Sequence, residues 1–130
     1  MIRGDYCCPA FDKAFSALLD DLTERGLLDD TLVVVTGEFG RTPKINQYAG
    51  RDHWSPCYST VLAGGGIRGG AIHGASDEHA AYVKDSPVRP EDLGATTLHA
   101  FGFSPDAEIT HPTGRPVRSS KGQPVRSLFS

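Results

Sequence analysis

The sequence predicts an α/β fold organised around a mostly parallel sheet. Three observations carry that reading. Leu32 to Val35, within TLVVVT at 31–36, form an apolar run with no polar alternation. Strands covered on both faces, as in parallel sheets beneath helices, have this composition. An amphipathic helical pattern precedes the run across a short acidic turn, which gives the αβ half of a βαβ unit. A second apolar run, Tyr58 to Ala63, is followed by a second helical pattern from Pro90 to Phe101.

The first element is expected from about Pro9 to Arg25. Phe11, Ala14, Phe15, Leu18, Leu19 and Leu22 recur at helical spacing and make one apolar face. Pro9 suits a first helical turn and Gly26 a C-terminal stop. Asp20, Asp21, Glu24 and Arg25 read as the solvated face. Asp29 and Asp30 turn the chain into the strand Thr31–Thr36. Only about eight polar, glycine-containing residues precede Pro9, so the strand expected ahead of this helix is missing. Tyr58–Ala63 ends in GGGIRGG at 64–70 without the Lys of a phosphate-binding loop. The glycines there are better read as a tight turn or crossover, followed by a short strand at Ala71–Gly74. Ser76 to Val88 reads as irregular. The second helix has Pro90 in its first turn, Glu91 and Asp92 at the positive end of the dipole, and Gly102 as its stop. Phe103 to Ser130 reads as a long loop with a short edge strand at Val125–Phe129.

The 130 residues are 38% hydrophobic and 22% charged, which suits a single domain with a modest core. A net charge of -3 with no clustered basic face argues against a nucleic-acid partner. The apolar runs fall far short of a membrane span, and MIRGDYCCPAFDK has no apolar signal region. Cys7, Cys8 and Cys57 are odd in number and lack C-x-x-C spacing. They are read as small, at least partly buried hydrophobes rather than as a zinc or redox motif.

Chemistry concentrates just past the Thr31–Thr36 strand, where α/β sheets bind ligands. Glu38, Arg41, Arg51, Asp52 and His53 fall within one short span. Glu38 and His53 are suitable ligands for zinc, manganese, calcium or magnesium, and Asp52 is a second available carboxylate. A catalytic metal takes three or more protein ligands, so the set is incomplete. Arg41 and Arg51 can clamp a tetrahedral anion through the guanidinium fork. The plain alternatives are a solvated loop whose charges do nothing in particular and, for the arginines, loop-stabilising salt bridges to Asp52 or Glu38. No convincing nucleophile is present.

The segments LLDDLTERGLLDDTLVVVTGEFGRTPKIN, GRDHW, VLAGGGIRGG, RPEDLGATTLHAFG and GRPV occur in an order and wording that resemble a large uncharacterised bacterial family. That family is a sulfatase-like domain of unknown function in the alkaline phosphatase superfamily. The resemblance covers about Phe11 to Phe129. It implies a three-layer α/β/α fold, of which residues 1–130 would be the carboxyl-terminal portion. It also implies hydrolysis of phosphate or sulfate esters at a two-metal site. Thr36-Gly37-Glu38-Phe39-Gly40 stands where the superfamily has a T-A-D-H-G type motif. Glu38 can replace the acid there, and Phe39 cannot replace the imidazole. His53 looks like the later metal-binding histidine. RPEDLGATTLHAFG is similar to the D-I-x-P-T-L-L-x-x-x-G helix of sulfatases, with Asp92, Thr96 and Gly102 in matching places and Ala95 where proline is common.

The superfamily's nucleophile and first metal-binding acid lie near the amino end of a full-length domain and are not in this chain. Full-length relatives often carry an export signal, and the compartment is left open. The first expectation is therefore a hydrolase relative that is inactive at this length. The alternative is a non-catalytic binding or structural module. A third is an assembly module that completes its sheet with another chain, a homo-oligomer among the possibilities, because an exposed sheet edge recruits strands.

Overall fold

A computed structural model describes residues 4–130; the first three residues of the polar amino-terminal stretch lie outside it. The chain runs α1 (Gly4–Glu24), β1 (Val33–Thr36), β2 (Gly40–Arg41), β3 (His53–Trp54), β4 (Thr60–Ala63), β5 (Ala75–Ser76), β6 (Val83–Asp85), α2 (Pro90–Ala100), β7 (Glu108–Thr110) and β8 (Pro116–Arg118). A 3-10 turn at Arg126–Leu128 follows. Among the described residues, no helix is long and apolar enough to cross a membrane.

The expected parallel sheet and its three-layer α/β/α setting are not what forms. The described strands make four separate antiparallel pairs: β1 with β4, β2 with β3, β5 with β6, and β7 with β8. The reason lies between β1 and β4. A parallel pairing needs a crossover of a dozen or more residues, usually a helix. Residues 37–59 hold Gly37, Gly40, Pro43, Gly50 and Pro56, and glycine and proline disfavour a helix there. The chain instead makes the β2–β3 excursion and returns in the opposite direction. Val33 lies opposite Ala63, and Thr36 opposite Thr60. The two threonine hydroxyls hydrogen-bond across the pair at 3.0 Å. The three valines of β1 follow one another without a polar residue between them, yet Val34 is exposed while Val33 and Val35 are half-buried, so an uninterrupted apolar run did not mean burial on both faces.

α1 starts at Gly4, ahead of the expected Pro9, which lies inside the helix. It ends as its sequence requires. Gly26 takes φ 66°, and the Leu27 N–H donates to the Leu22 carbonyl at 2.8 Å, closing the last turn with the left-handed residue glycine tolerates best. Cys7 and Cys8 on this helix are exposed and Cys57 is half-buried, all with free thiols. The expected burial therefore holds for Cys57 alone.

The tightest packing surrounds α2. Ala95 and Thr96 are the buried side chains among the described residues apart from glycine and proline positions. The Thr96 hydroxyl donates to the Asp92 carbonyl at 2.6 Å and accepts the Val125 N–H at 3.0 Å. Asp92 caps the helix by accepting the Arg89 N–H at 3.0 Å, and it also accepts the Gln123 N–H at 2.8 Å. The backbone N–H of Gln123, then that of Arg89, hold the Asp92 carboxyl below its ordinary range, against a smaller opposing effect of burial. Gly122 presses its backbone on α2, where a methyl group would collide with the Glu91 carbonyl. The tail continues past the next loop: Arg68 N–H donates to the Leu128 carbonyl at 2.7 Å, and Phe129 sets its ring edge-on to His99 at 4.9 Å. The expected edge strand at Val125–Phe129 is thus a 3-10 turn with one isolated bridge, Ile67 to Phe129. Short hairpins replace the irregular reading at Ser76–Val88 and part of the long tail loop.

Two outcomes follow. Because ionised Asp92 is favoured by folding, its contribution is complete above its unfolded pKa of about 3.9 and is lost as pH falls through its lower folded value. Asp92→Ala should cost about 1 kcal/mol in urea denaturation at pH 7, as loss of a helix cap does, and should flatten the decline in stability below about pH 4. Gly122→Ala should be more damaging than an ordinary loop substitution and should release the tail, read as faster amide exchange at Gln123 and Val125.

Candidate functional site

The sequence-predicted residues assemble on the β2–β3 hairpin. Its register sets Arg41 directly opposite His53 and Gly40 opposite Trp54. The Thr42 N–H donates to the Asp52 carbonyl at 3.0 Å and continues the ladder by one pair. Gly40 has no room for a side chain, since a methyl group there would meet the Cys57 carbonyl. That close approach holds the hairpin against the segment leading into β4.

The pleat then sorts the cluster onto two sides. Residues directly opposite in an antiparallel pair share a face, so Arg41 and His53 do. The rings of Phe39 and His53 lie 4.1 Å apart with an interplanar angle of 41°. The Arg41 guanidinium carbon sits 5.9 Å from the Phe39 ring centre, at the edge of cation–π range. Arg51 lies outside β3, two residues before His53, and is exposed. Asp52 falls on the side opposite His53. Its carboxylate accepts the Asn46 amide at 2.9 Å and its N–H donates to the Thr42 hydroxyl at 3.1 Å. Asn46 in turn accepts the N–H groups of Tyr48 and Gly50, each at 3.0 Å. Asp52 therefore braces the 42–52 loop. This loop borders an open cleft of about 540 Å³ lined by Lys44, Ile45, Asn46, Tyr48 and Asp52 among others.

Trp54 fixes the far strand of the hairpin. Its indole N–H donates to the Ala81 carbonyl at 2.6 Å, and its ring meets Tyr82 edge-on at 5.6 Å. The Asp77 carboxylate organises that supporting loop by accepting the N–H groups of His79, Ala81 and Tyr82. Neither Trp54 nor Asp77 was singled out from the sequence. The lone Trp directly after His53 was the available signal.

Glu38 lies in the bend before β2 and is exposed. Among the described residues, the ion pairs are Arg25–Asp21, Arg89–Glu91 and Arg118–Asp106, and His79 lies 3.5 Å from the Glu78 carboxylate. Arg41 and Arg51 are not in them, so the expected alternative of arginines neutralised by Asp52 or Glu38 does not occur. Among the described residues, no three His, Cys, Asp or Glu side chains gather closely enough to hold a metal ion. Glu38 and His53 are two donors, fewer than a catalytic zinc takes, and Asp52 is committed to its loop. Among the described residues, Glu38, His53 and Asp52 do not by themselves make up a complete divalent-metal ligand set. What the arrangement offers chemically is a guanidinium and an imidazole side by side, backed by an aromatic ring and free of a paired acid.

Gly40→Ala should displace β2 from the Cys57 segment. The expected readout is a large chemical-shift change at Arg41, His53 and Trp54 with the α2 resonances unmoved. An unchanged hairpin spectrum would contradict the close approach.

The profile of a family described as a protein of unknown function (DUF1501) matches residues 3–129. No curated protein and no solved structure matches the chain.

Proposed function

We propose a function from one premise: the chain belongs to DUF1501, a family of proteins of unknown function. The proposal is that the β2–β3 face binds the phosphate or sulfate group of a small ester, in the manner of a sulfatase-like relative of the alkaline phosphatase superfamily. The observation that supports it best is the pairing of Arg41 with His53 across the hairpin, with no acid engaged by Arg41. Arginine presents a planar fork of donors to tetrahedral oxyanions, and a protonated imidazole adds another. Phe39 packs against the His53 ring, and Arg51 lies two residues before His53 in the chain. The order of the motifs from Thr36-Gly37-Glu38 to RPEDLGATTLHAFG also supports the relation to sulfatases. The antiparallel pairs give it no support from fold.

In this reading Glu38 and His53 are the two ligands the chain would contribute to a zinc, manganese, calcium or magnesium ion. A bound ion would supply charge neutralisation at the ester oxygens. Since the donor set is incomplete, the chain's own part is to bind and orient the anion, and the 130-residue protein is expected to be inactive toward esters. The second reading is a non-catalytic anion-binding module. Phe39 favours it, because the position where the superfamily places a metal-binding imidazole is filled by a ring packed on His53.

Calorimetry with inorganic phosphate and with zinc or manganese tests both parts. Saturable phosphate binding that falls at least tenfold in Arg41→Ala supports the anion site. Stoichiometric metal binding lost in both Glu38→Ala and His53→Ala supports the hydrolase relation, and metal indifference with phosphate binding intact supports the non-catalytic module. Folded protein that binds neither would contradict the proposal.

A further inference from the structure

Spacing along the chain pairs no nucleophile with a base, but folding does. Ser127 and His73 lie 54 residues apart and meet side chain to side chain. With the Nε2–H tautomer of His73, the Ser127 hydroxyl donates to its Nδ1 at 3.2 Å. That is the contact a nucleophilic serine makes with its general base. Both side chains are exposed, so a small reagent can reach them. They line an open cleft of about 420 Å³ with Pro87, Asp92, Gln123 and Arg126, a size that suits a small-molecule site.

The backbone on each side fixes the two residues near one another. The Ile67–Phe129 bridge joins the loop after β4 to the tail. The Arg68 N–H donates to the Leu128 carbonyl at 2.7 Å and the Ser130 N–H to the Gly66 carbonyl at 3.2 Å. The Arg68 guanidinium reaches the Ser127 carbonyl at 3.5 Å. On the histidine side, Gly74 takes φ 76°, and a methyl group there would meet the Ser86 and Asp85 carbonyls at 2.9 and 3.0 Å. That close approach anchors the residue next to His73. Ser86, beside Pro87 of the cleft wall, holds φ 45°, and backbone strain of this kind collects at functional sites. Arg126 is in no ion pair among the described residues, so a positive charge is on hand for a developing oxyanion. Both Asp92 carboxylate oxygens already accept backbone N–H groups. The pair is therefore a dyad without a third acid.

We propose that Ser127, with His73 as general base, accepts acyl groups from small activated carboxylic esters. The bond from Ser127 Oγ to the carbonyl carbon forms, and the bond from that carbon to the leaving oxygen breaks. The hydroxyl proton passes to His73 Nδ1 and then to the leaving oxygen, so no oxidant or reductant takes part. The site uses none of the β2–β3 residues, and its esters are carboxylic rather than phosphate or sulfate.

The test is p-nitrophenyl acetate on the full 130-residue protein, with peptide mass spectrometry to locate and time each acetyl group. Ser127 should be acetylated well ahead of the other exposed serines, with matching release of nitrophenolate. Ser127→Ala should remove that fast release. His73→Gln, with an unchanged circular dichroism spectrum, should slow acetylation of Ser127 about a hundredfold or more, as loss of a general base does. Denaturing urea should slow it as much in the unaltered chain, a check that does not depend on how a variant folds. Acetylation of Ser127 no faster than that of other exposed serines would overturn the proposal. So would a rate at Ser127 left unchanged by urea or by His73→Gln in a folded protein.

Discussion

The structure depends on the attachment of the carboxyl-terminal tail to the first two turns of α2. Asp92 accepts backbone N–H groups from both sides, one from its own helix start and one from Gln123. Thr96, one turn later, accepts the Val125 N–H while donating to the Asp92 carbonyl. These bonds join residues about thirty apart in sequence at the place where side chains are buried. A charged acceptor makes the stronger kind of hydrogen bond, and burial raises the cost of leaving Thr96 without partners. The tail then meets the loop after β4 through Leu128 and Phe129, so it links α2 to the β1–β4 pair. The work of Asp92 and Thr96 in this fold is structural.

The hairpin that carries the candidate site is a separate local unit. It stands on Gly40 against the Cys57 carbonyl and on Trp54 against the Ala81 carbonyl. Its chemistry is decided by the pleat. Five residues close in sequence suggested a mixed metal and anion cluster. Alternation assigns Asp52 to the loop side and leaves Arg41 and His53 facing together, with Phe39 on the imidazole. A shift of one residue in register would have exchanged these sides. The site is thus more cationic than its composition suggested.

Both helices were legible in the sequence because their apolar spacing, prolines and stop glycines agree with one another. The start of α1 was not, since Pro9 reads as a first-turn residue and is tolerated further in. The strands β1 and β4 were legible as apolar runs, but their direction was not. Direction depended on whether residues 37–59 could make a crossover helix, and the run of valines suggested burial that the antiparallel pair does not supply. Two-residue strands such as β2, β3 and β5 carry too few positions for a period of two to register. The site residues themselves were legible as residue types. The packing of Phe39 on His53 was not, because it follows from a register that no local pattern encodes. Trp54 and Asp77 support the site from outside the motif that drew notice.

The most direct measurement is a two-dimensional NMR titration of the labelled protein with inorganic sulfate at fixed ionic strength. Binding at the β2–β3 face predicts saturable shifts at the Phe39, Arg41 and His53 resonances, with those of α2 and the β7–β8 hairpin unmoved. Shifts that never saturate, or that spread evenly over exposed Lys and Arg residues, would contradict a site built from Arg41 and His53.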